Sequence, residues 1–569
     1  MQQAEILNDE RIFTQMVPMR DGTKLFTEIH LPGGLPGPFP VNLIRSPYND
    51  PRGALYYQPE WIKEGIAWVL QDTRGTGRSE GKFYPNVPEI DDGTDTVDFI
   101  LAQTWCNGRI FMSGGSYVGA TQWFAAKDSG KKLIGIAPFV ASINYHESSR
   151  YFFGAMMLSD VLGWGFNMQR NKNFADQKIE YDIQKAYRHL PLRDMDTFCG
   201  FPEKLPFWQD LLDHPGYDAF WARTDVRSYI GDIECPAYVA SGWFDSYQAH
   251  SLDAVMLMRT KGGSERARKF SRCVIGPWRH GNEEIGELKP PEAADGTSRA
   301  QDGNSIRENY SRKSIRFLVN LSRDPDKDPL PGEPPIRYFV MGSNEWRASE
   351  VWPPEGVKHT DCFLHSGGMA NSLYGDGTLD FVRPGNETPD TFFYNPENPV
   401  MTAGGRDFAS GSFDQTETEK RADVLVYTSD VLDKDVVVAG RIIAELWIAS
   451  SAPDTDFTAK LVDVYPDGRA LNVANGILRC GYRDSLAERK LMTPGEKYRI
   501  TVDLWNTANC FRAGHRIRLE ISSSDFPNFD RNLNTGHPYG EDAEIATARQ
   551  TVFHDAVSAS KVILPILPE

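Results

Sequence analysis

Short apolar runs closed by turn residues dominate the first 145 residues of the chain. FTEIHLP (26–32), VNLIRSP (41–47), IAWVLQDTR (66–74), RIFMSG (109–114) and LIGIAPFVA (133–141) predict buried strands. Between them, the segment EIDDGTDTVDFILAQ carries Thr94, Val97, Ile100 and Leu101 at helical spacing behind an acidic start, and ATQWFAAK continues helically from a turn at Ser116. Strands alternating with helices predict a mainly parallel sheet covered on both faces.

From about residue 146 to 230 the pattern changes to helix formers and aromatics, in YFFGAMMLSDVLGWGFNMQRNKNFADQKIEYDIQKAYRHL and beyond, without strand-like runs. This predicts a helical insertion. The strand pattern returns in PAYVASGWFD (236–245) and CVIGPWRH (273–280), with a helix in HSLDAVMLMRTK (250–261) and a long amphipathic one in 305–324. Past the Pro-rich stretch DPLPGEPPIRYF (328–339), runs such as RIIAELWIAS, FTAKLVDVYPDG, KYRITVDLW and HRIRLEISSS recur between Gly, Pro and Asp turns, which predicts a β-sandwich or jelly roll. The expected fold class is therefore α/β: catalytic-type α/β segments at 1–145 and 231–330, a helical cap at 146–230, and a β jelly roll at 335–569.

The junction RIFMSGGSYVGATQWFAA (109–126) packs Gly114, Gly115, Ser116 and Gly119 between a strand and a helix. A nucleophile held in such a strained turn stands above the sheet, with the next backbone N–H facing the reacting carbonyl, and flanking glycines leave it room. Here the motif reads G-x-S-Y-x-G, with Val118 where the last glycine of G-x-S-x-G would stand. Alone, this is equally an ordinary strand-to-helix loop. Order and spacing add to it: an acid and a histidine must follow later strands, and Asp245 ends PAYVASGWFD while His280 ends CVIGPWRH. His250, Asp232 and Asp253 are the competitors, disfavoured because they lie within a helix or before a strand. The Tyr117 N–H is the built-in oxyanion donor, and Tyr48 in LIRSPYND offers a second one or a packing ring.

Composition narrows the classes. The net charge of −17 disfavours nucleic acid and anionic membranes as partners. The N-terminal stretch has acids where a secretory leader would be apolar, and no run reaches a membrane span, so a cytoplasmic location is expected. The odd number of cysteines, 7 without a CxxC pair, predicts reduced thiols rather than disulfides or zinc. No metal or organic cofactor is required by serine acyl transfer. Homo-oligomerisation is left open.

The segments VPMRDG, SPYND, QDTRGTGRSEG, TWCNG, GGSYVGATQW, SGWFD, GPWRHG, FVMGSNEWR, DTDFTAKLVDVYPDGRA and SSSDFPNFDRNLNTG resemble the bacterial cocaine esterase family, itself akin to α-amino-acid ester hydrolases, some cephalosporin acylases and X-prolyl dipeptidyl-peptidases. The resemblance runs in order from about residue 16 to the end. It implies an α/β-hydrolase core, a helical cap inserted after the sixth strand, and a C-terminal jelly roll. It carries the nucleophile to Ser116, the acid to Asp245, the base to His280, the oxyanion donors to Tyr48 and the Tyr117 N–H, and an aromatic substrate wall to Trp164 and Tyr247. One further cap tryptophan of the family has no match near NYHESSRYFF, a departure that bears on the acyl preference. Glu283, Glu284 and Glu287 in GNEEIGE are candidates for holding a substrate ammonium. The expected activity is hydrolysis of a small-molecule ester through an acyl-enzyme. The alternatives are an amide-cleaving aminopeptidase or acylase, and a non-catalytic binding protein working through the jelly roll.

Overall fold

The computed structural model describes residues 11–48, 58–280, 308–406 and 410–568. Eight strands form the first half: β1 (Arg11–Pro18), β2 (Lys24–Leu31), β3 (Phe39–Ser46), β4 (Ala67–Asp72), β5 (Cys106–Gly115), β6 (Leu133–Phe139), β7 (Tyr238–Phe244) and β8 (Arg272–Arg279). Two more, β9 (Ile336–Val340) and β10 (Glu345–Ser349), extend the same ten-stranded sheet, whose order is β1-β2-β4-β3-β5-β6-β7-β8-β9-β10. From β4 to β9 every neighbouring pair is parallel. The strands are buried on both faces, as a sheet covered by helices requires: β6 and β7 show no exposed residue.

Two differences from the sequence pattern stand out. Strand β1 was not expected, because as an edge strand it is mostly exposed, with Ile12, Phe13 and Met16 turned to solvent and Arg11, Thr14 and Gln15 interrupting its apolar run. Residues 336–349, assigned above to the jelly roll, belong instead to the hydrolase sheet: Ile336 and Tyr338 pair with Cys273 and Ile275 of β8. Proline spacing marked the chain break, and the register that decides the partner is not local.

Helix α1 (Glu89–Leu101) keeps the expected acidic first turn, and α2 (Tyr117–Ser129) leaves the Ser116 junction. Tyr117 to Ala126 are all buried, including Trp123 and Phe124 at 0% exposure, so α2 is covered all round, with no polar stripe. Each large side chain so buried contributes roughly 1.5–3 kcal/mol. Helices α3 (Gln248–Lys261) and α4 (Glu308–Arg323) complete the cover.

The insertion is helical with one small hairpin, Tyr151–Phe152 against Ala155–Met156. Its aromatic core, including Phe166, Phe207 and Trp208, explains the aromatic richness of the stretch. The C-terminal region is an eleven-stranded, largely antiparallel jelly-roll structure, in which Val436–Ser450 pairs with both Tyr498–Phe511 and Lys561–Leu567. Its segment 530–541 grips the cap: Asp530 Oδ1 accepts from the Met156 N–H at 2.7 Å, and Arg193 lies 2.8 Å from Glu541.

Candidate active site

Strand β5 ends at Gly115 and α2 begins at Tyr117, which leaves Ser116 alone in the junction with φ 58° and ψ −128°. This is the strained elbow geometry that lifts a side chain above the sheet. The glycines around it are steric necessities. A Cβ at Gly114 (φ +131°) would meet Val118 Cγ1 at 2.4 Å, and one at Gly119 would meet Ala141 Cβ at 2.7 Å and the Phe139 carbonyl at 3.0 Å. The close approach of helix and sheet thus falls at position 119, and Val118 packs over Gly114 instead.

Asp245 directly follows β7 and His280 directly follows β8, two adjacent parallel strands whose C-terminal ends share one rim with the Ser116 elbow. His280 Nε2 lies 2.9 Å from Ser116 Oγ, across 164 residues of chain. His280 Nδ1 lies 2.6 Å from Asp245 Oδ2, across 35 residues. Asp245 is fully buried, and its other oxygen accepts from the Tyr247 N–H at 2.8 Å and from Ser241 Oγ at 3.3 Å. The imidazole itself is 41% exposed, open to solvent on one side.

The competitors are placed elsewhere. His250 is buried against Ser142, whose Oγ is 2.8 Å from its Nδ1. Asp253 faces Arg441 at 4.0 Å, and Asp232 is an exposed residue before β7. Glu283, Glu284 and Glu287 lie outside the described residues.

Tyr48 stands beyond β3 with its hydroxyl facing Ser116, the Trp164 indole and the backbone of Tyr117. Burial pushes its phenol above the ordinary range, so it stays protonated and able to donate. The Tyr117 side chain is held by partners of its own. Its hydroxyl donates to Glu89 Oε1 at 2.8 Å and accepts from the Asn86 N–H at 2.9 Å, while Arg45, fully buried, lies 2.8 Å from Glu89. That buried chain, built from the acidic start of α1, fixes the residue after Ser116.

Trp164 stacks on Tyr117 with centroids 5.8 Å apart, and Tyr247 stands edge-on to His280 at 5.5 Å. A cleft of about 730 Å³ opens beside Tyr48 and Trp164, with Met168, Arg170, Lys172 and Ile179 on its walls. Three residues of this neighbourhood were not singled out from the sequence: Ser149, Arg150 and Asp160. Burial pushes the Asp160 carboxyl up, against the pull of Arg150 and His280. Their signal was faint, an arginine and an aspartate flanking a stretch read as helical. Away from this rim, His537, Asp542 and Glu544 bring donor atoms within 4.8 Å of one another on the jelly roll, an exposed cluster of a kind common without any ion.

Residues 21–282 match the X-Pro dipeptidyl-peptidase (S15) family, and residues 331–563 match the X-Pro dipeptidyl-peptidase C-terminal non-catalytic domain. The cocaine esterase of Rhodococcus sp. (strain MB1 Bresler) is 34% identical over 97% of this chain and 98% of its own. The chain belongs to the cocaine esterase-like family of serine hydrolases. As a member it is a serine ester hydrolase, and the binding-protein alternative is set aside. A putative serine esterase of Mycobacterium tuberculosis (strain CDC 1551 / Oshkosh) is 25% identical over 90% of each chain. Among solved structures, an aminopeptidase from a marine sediment Thaumarchaeota archaeon superposes with a TM-score of 0.83 at 24% identity, covering 98% of this chain and 97% of that one. An α-amino acid ester hydrolase superposes with a TM-score of 0.81, at 24% identity and the same 98% and 97% coverage. These two likenesses speak for the fold. No helix among the described residues is long and apolar enough to cross a membrane.

Proposed function

We propose that this esterase transfers the acyl group of a carboxylic ester to Ser116 and then to water. His280 accepts the Ser116 proton as the hydroxyl attacks the ester carbonyl, then delivers it to the leaving alcohol. Asp245 fixes the imidazole tautomer, with Nδ1–H toward the carboxylate, and stabilises the imidazolium that forms. The Tyr117 N–H and the Tyr48 hydroxyl bind the oxyanion. Water then enters, His280 takes its proton, and the acid leaves.

One observation carries this reading: Ser116, His280 and Asp245 stand in line at 2.9 and 2.6 Å although they come from three separate strand ends. The amide-cleaving alternative needs an acid free to anchor a substrate amine. Among the described acids, Asp160 feels the charge of His280, and its own charge is already balanced by Arg150 at 2.8 Å. Ester cleavage is therefore the favoured chemistry.

The test compares fluorophosphonate labelling of the wild type and Ser116→Ala, together with kcat/KM for p-nitrophenyl esters and for amino-acyl and dipeptidyl anilides. Label on the wild type only, with esters preferred, is the expected result. Label retained by Ser116→Ala rejects the assigned nucleophile, and faster anilide cleavage moves the enzyme to the amidase class.

A further inference from the structure

The wall between Trp164 and Tyr247 contains an ion pair. Arg150 ends the turn His146–Arg150, the hairpin Tyr151–Met156 reverses the chain, and the short helix Leu158–Asp160 follows. That reversal brings Arg150 Nη1 to 2.8 Å from Asp160 Oδ2. The guanidinium lies 5.3 Å from the centroid of the Trp164 ring. Ser149 Oγ donates to the same Asp160 oxygen at 3.3 Å and accepts from the Tyr247 hydroxyl at 3.2 Å. The pair therefore spans the space from the ring stacked on Tyr117 to the ring beside His280.

Half of its hydrogen-bonding capacity is unspent. Nη1 serves Asp160 and both the carbonyl and the hydroxyl of Ser149. Nε and Nη2 of Arg150, and Oδ1 of Asp160, make no hydrogen bond to the described residues. Arg150 is only 4% exposed, yet the Asp160 side chain keeps 20% of its surface open. Arg150 also lines a small cavity with Tyr84, Tyr145, Phe207 and Asn86, where the buried Asn86 Oδ1 has no partner. These Arg150 and Asp160 atoms face water when the site is empty, and a substrate that displaces that water is recognised strongly where it pairs with both charged groups.

We propose that Arg150 and Asp160 form a recognition element for esters bearing an uncharged group that both donates and accepts a hydrogen bond, such as a hydroxyl or a carboxamide. This rests on the Ser116-centred ester hydrolysis above. The two charges cancel, so an incoming ammonium that meets Asp160 also meets the guanidinium behind it, and an incoming carboxylate meets Asp160 behind Arg150. A hydroxyl suffers neither repulsion. It donates to Oδ1, accepts from Nη2 or Nε, and gains charge-assisted bonds at both ends. An alkyl or aryl group of the same shape leaves both partners unsatisfied, the situation in which enzymes discriminate most sharply.

The experiment is a matched ester panel. On the acyl side it compares methyl benzoate with its 4-hydroxy, 4-carboxy and 4-aminomethyl analogues. On the alcohol side it compares benzyl acetate with the same three substituents on the benzyl ring. The wild type is expected to favour the hydroxyl compound in one series by about tenfold or more in kcat/KM over the other members. In Arg150→Met/Asp160→Leu this ratio falls to near one. Asp160→Asn shifts the preference toward the carboxylate analogue, and Arg150→Met toward the ammonium analogue; the selectivity ratio, rather than the absolute rate, is the readout. A wild type that favours the plain or a charged ester in both series overturns the proposal, as does a double variant that keeps the hydroxyl preference. A wild type that neither takes the fluorophosphonate label nor cleaves any ester instead overturns the Ser116 reading.

Discussion

One carboxylate joins Asp245 to Tyr247 as well as to His280: Oδ1 accepts the Tyr247 N–H at 2.8 Å, while Oδ2 faces His280 Nδ1 at 2.6 Å. The backbone bond fixes the plane of the carboxylate, and the carboxylate in turn fixes the imidazole. Asp245→Asn keeps the shape but presents an amide that favours the opposite tautomer. The expected loss in kcat is about four orders of magnitude. Steady-state turnover of a p-nitrophenyl ester measures it, and a loss below tenfold reduces Asp245 to a residue that starts α3.

Tyr48 is half-buried, and its phenol, pushed above the ordinary range, stays protonated beside Ser116 and the Tyr117 backbone. Removing its hydroxyl takes one donor from the oxyanion while leaving the ring that packs there. Tyr48→Phe is expected to lower kcat by about ten- to a thousandfold with KM little changed. Unaltered turnover, with KM raised instead, assigns Tyr48 to packing alone.

Arg479 forks between two carboxylates, with Asp456 at 2.9 Å and Asp530 at 3.0 Å, and is only 3% exposed. Asp530 also holds the Met156 N–H, so the fork lies where the jelly roll grips the cap. Arg479→Met leaves two buried carboxylates facing each other without a cation. The expected destabilisation is about 3–5 kcal/mol, read from urea unfolding of the whole chain. A change under about 1 kcal/mol, the scale of exposed pairs, contradicts the assigned role.

His250 supplies a pH dependence. Burial pushes its imidazole down to about 4 from the ordinary 6.5, so the folded chain refuses a proton that the unfolded chain accepts between those values. Its contribution to stability is intact above the unfolded value and is lost as pH falls toward the folded one. At pH 5 the loss is about 2 kcal/mol, at about 1.4 kcal/mol per unit. Unfolding free energies at pH 7.5 and 5.0 for the wild type and His250→Gln check this: the variant is expected to show the shallower acid slope, and equal slopes reject it.

The sequence by itself determined the inner strands β2 to β8, the helical insertion and the placing of Ser116, Asp245 and His280 at strand ends, because each of these follows a local rule. A buried strand is a short apolar run, a strained turn needs glycine, and residues at the C-terminal ends of parallel strands share a rim. Only the tertiary structure decided which elements became neighbours. It placed β9 and β10 in the hydrolase sheet, turned the Trp164 indole toward Tyr48, buried His250 against Ser142, and closed Arg150 onto Asp160 across a hairpin. Hydrophobic periodicity reports which face of an element is covered and is silent about what covers it. The partner of a buried charge is chosen by chain reversals and strand register, and these are set by packing across the whole molecule.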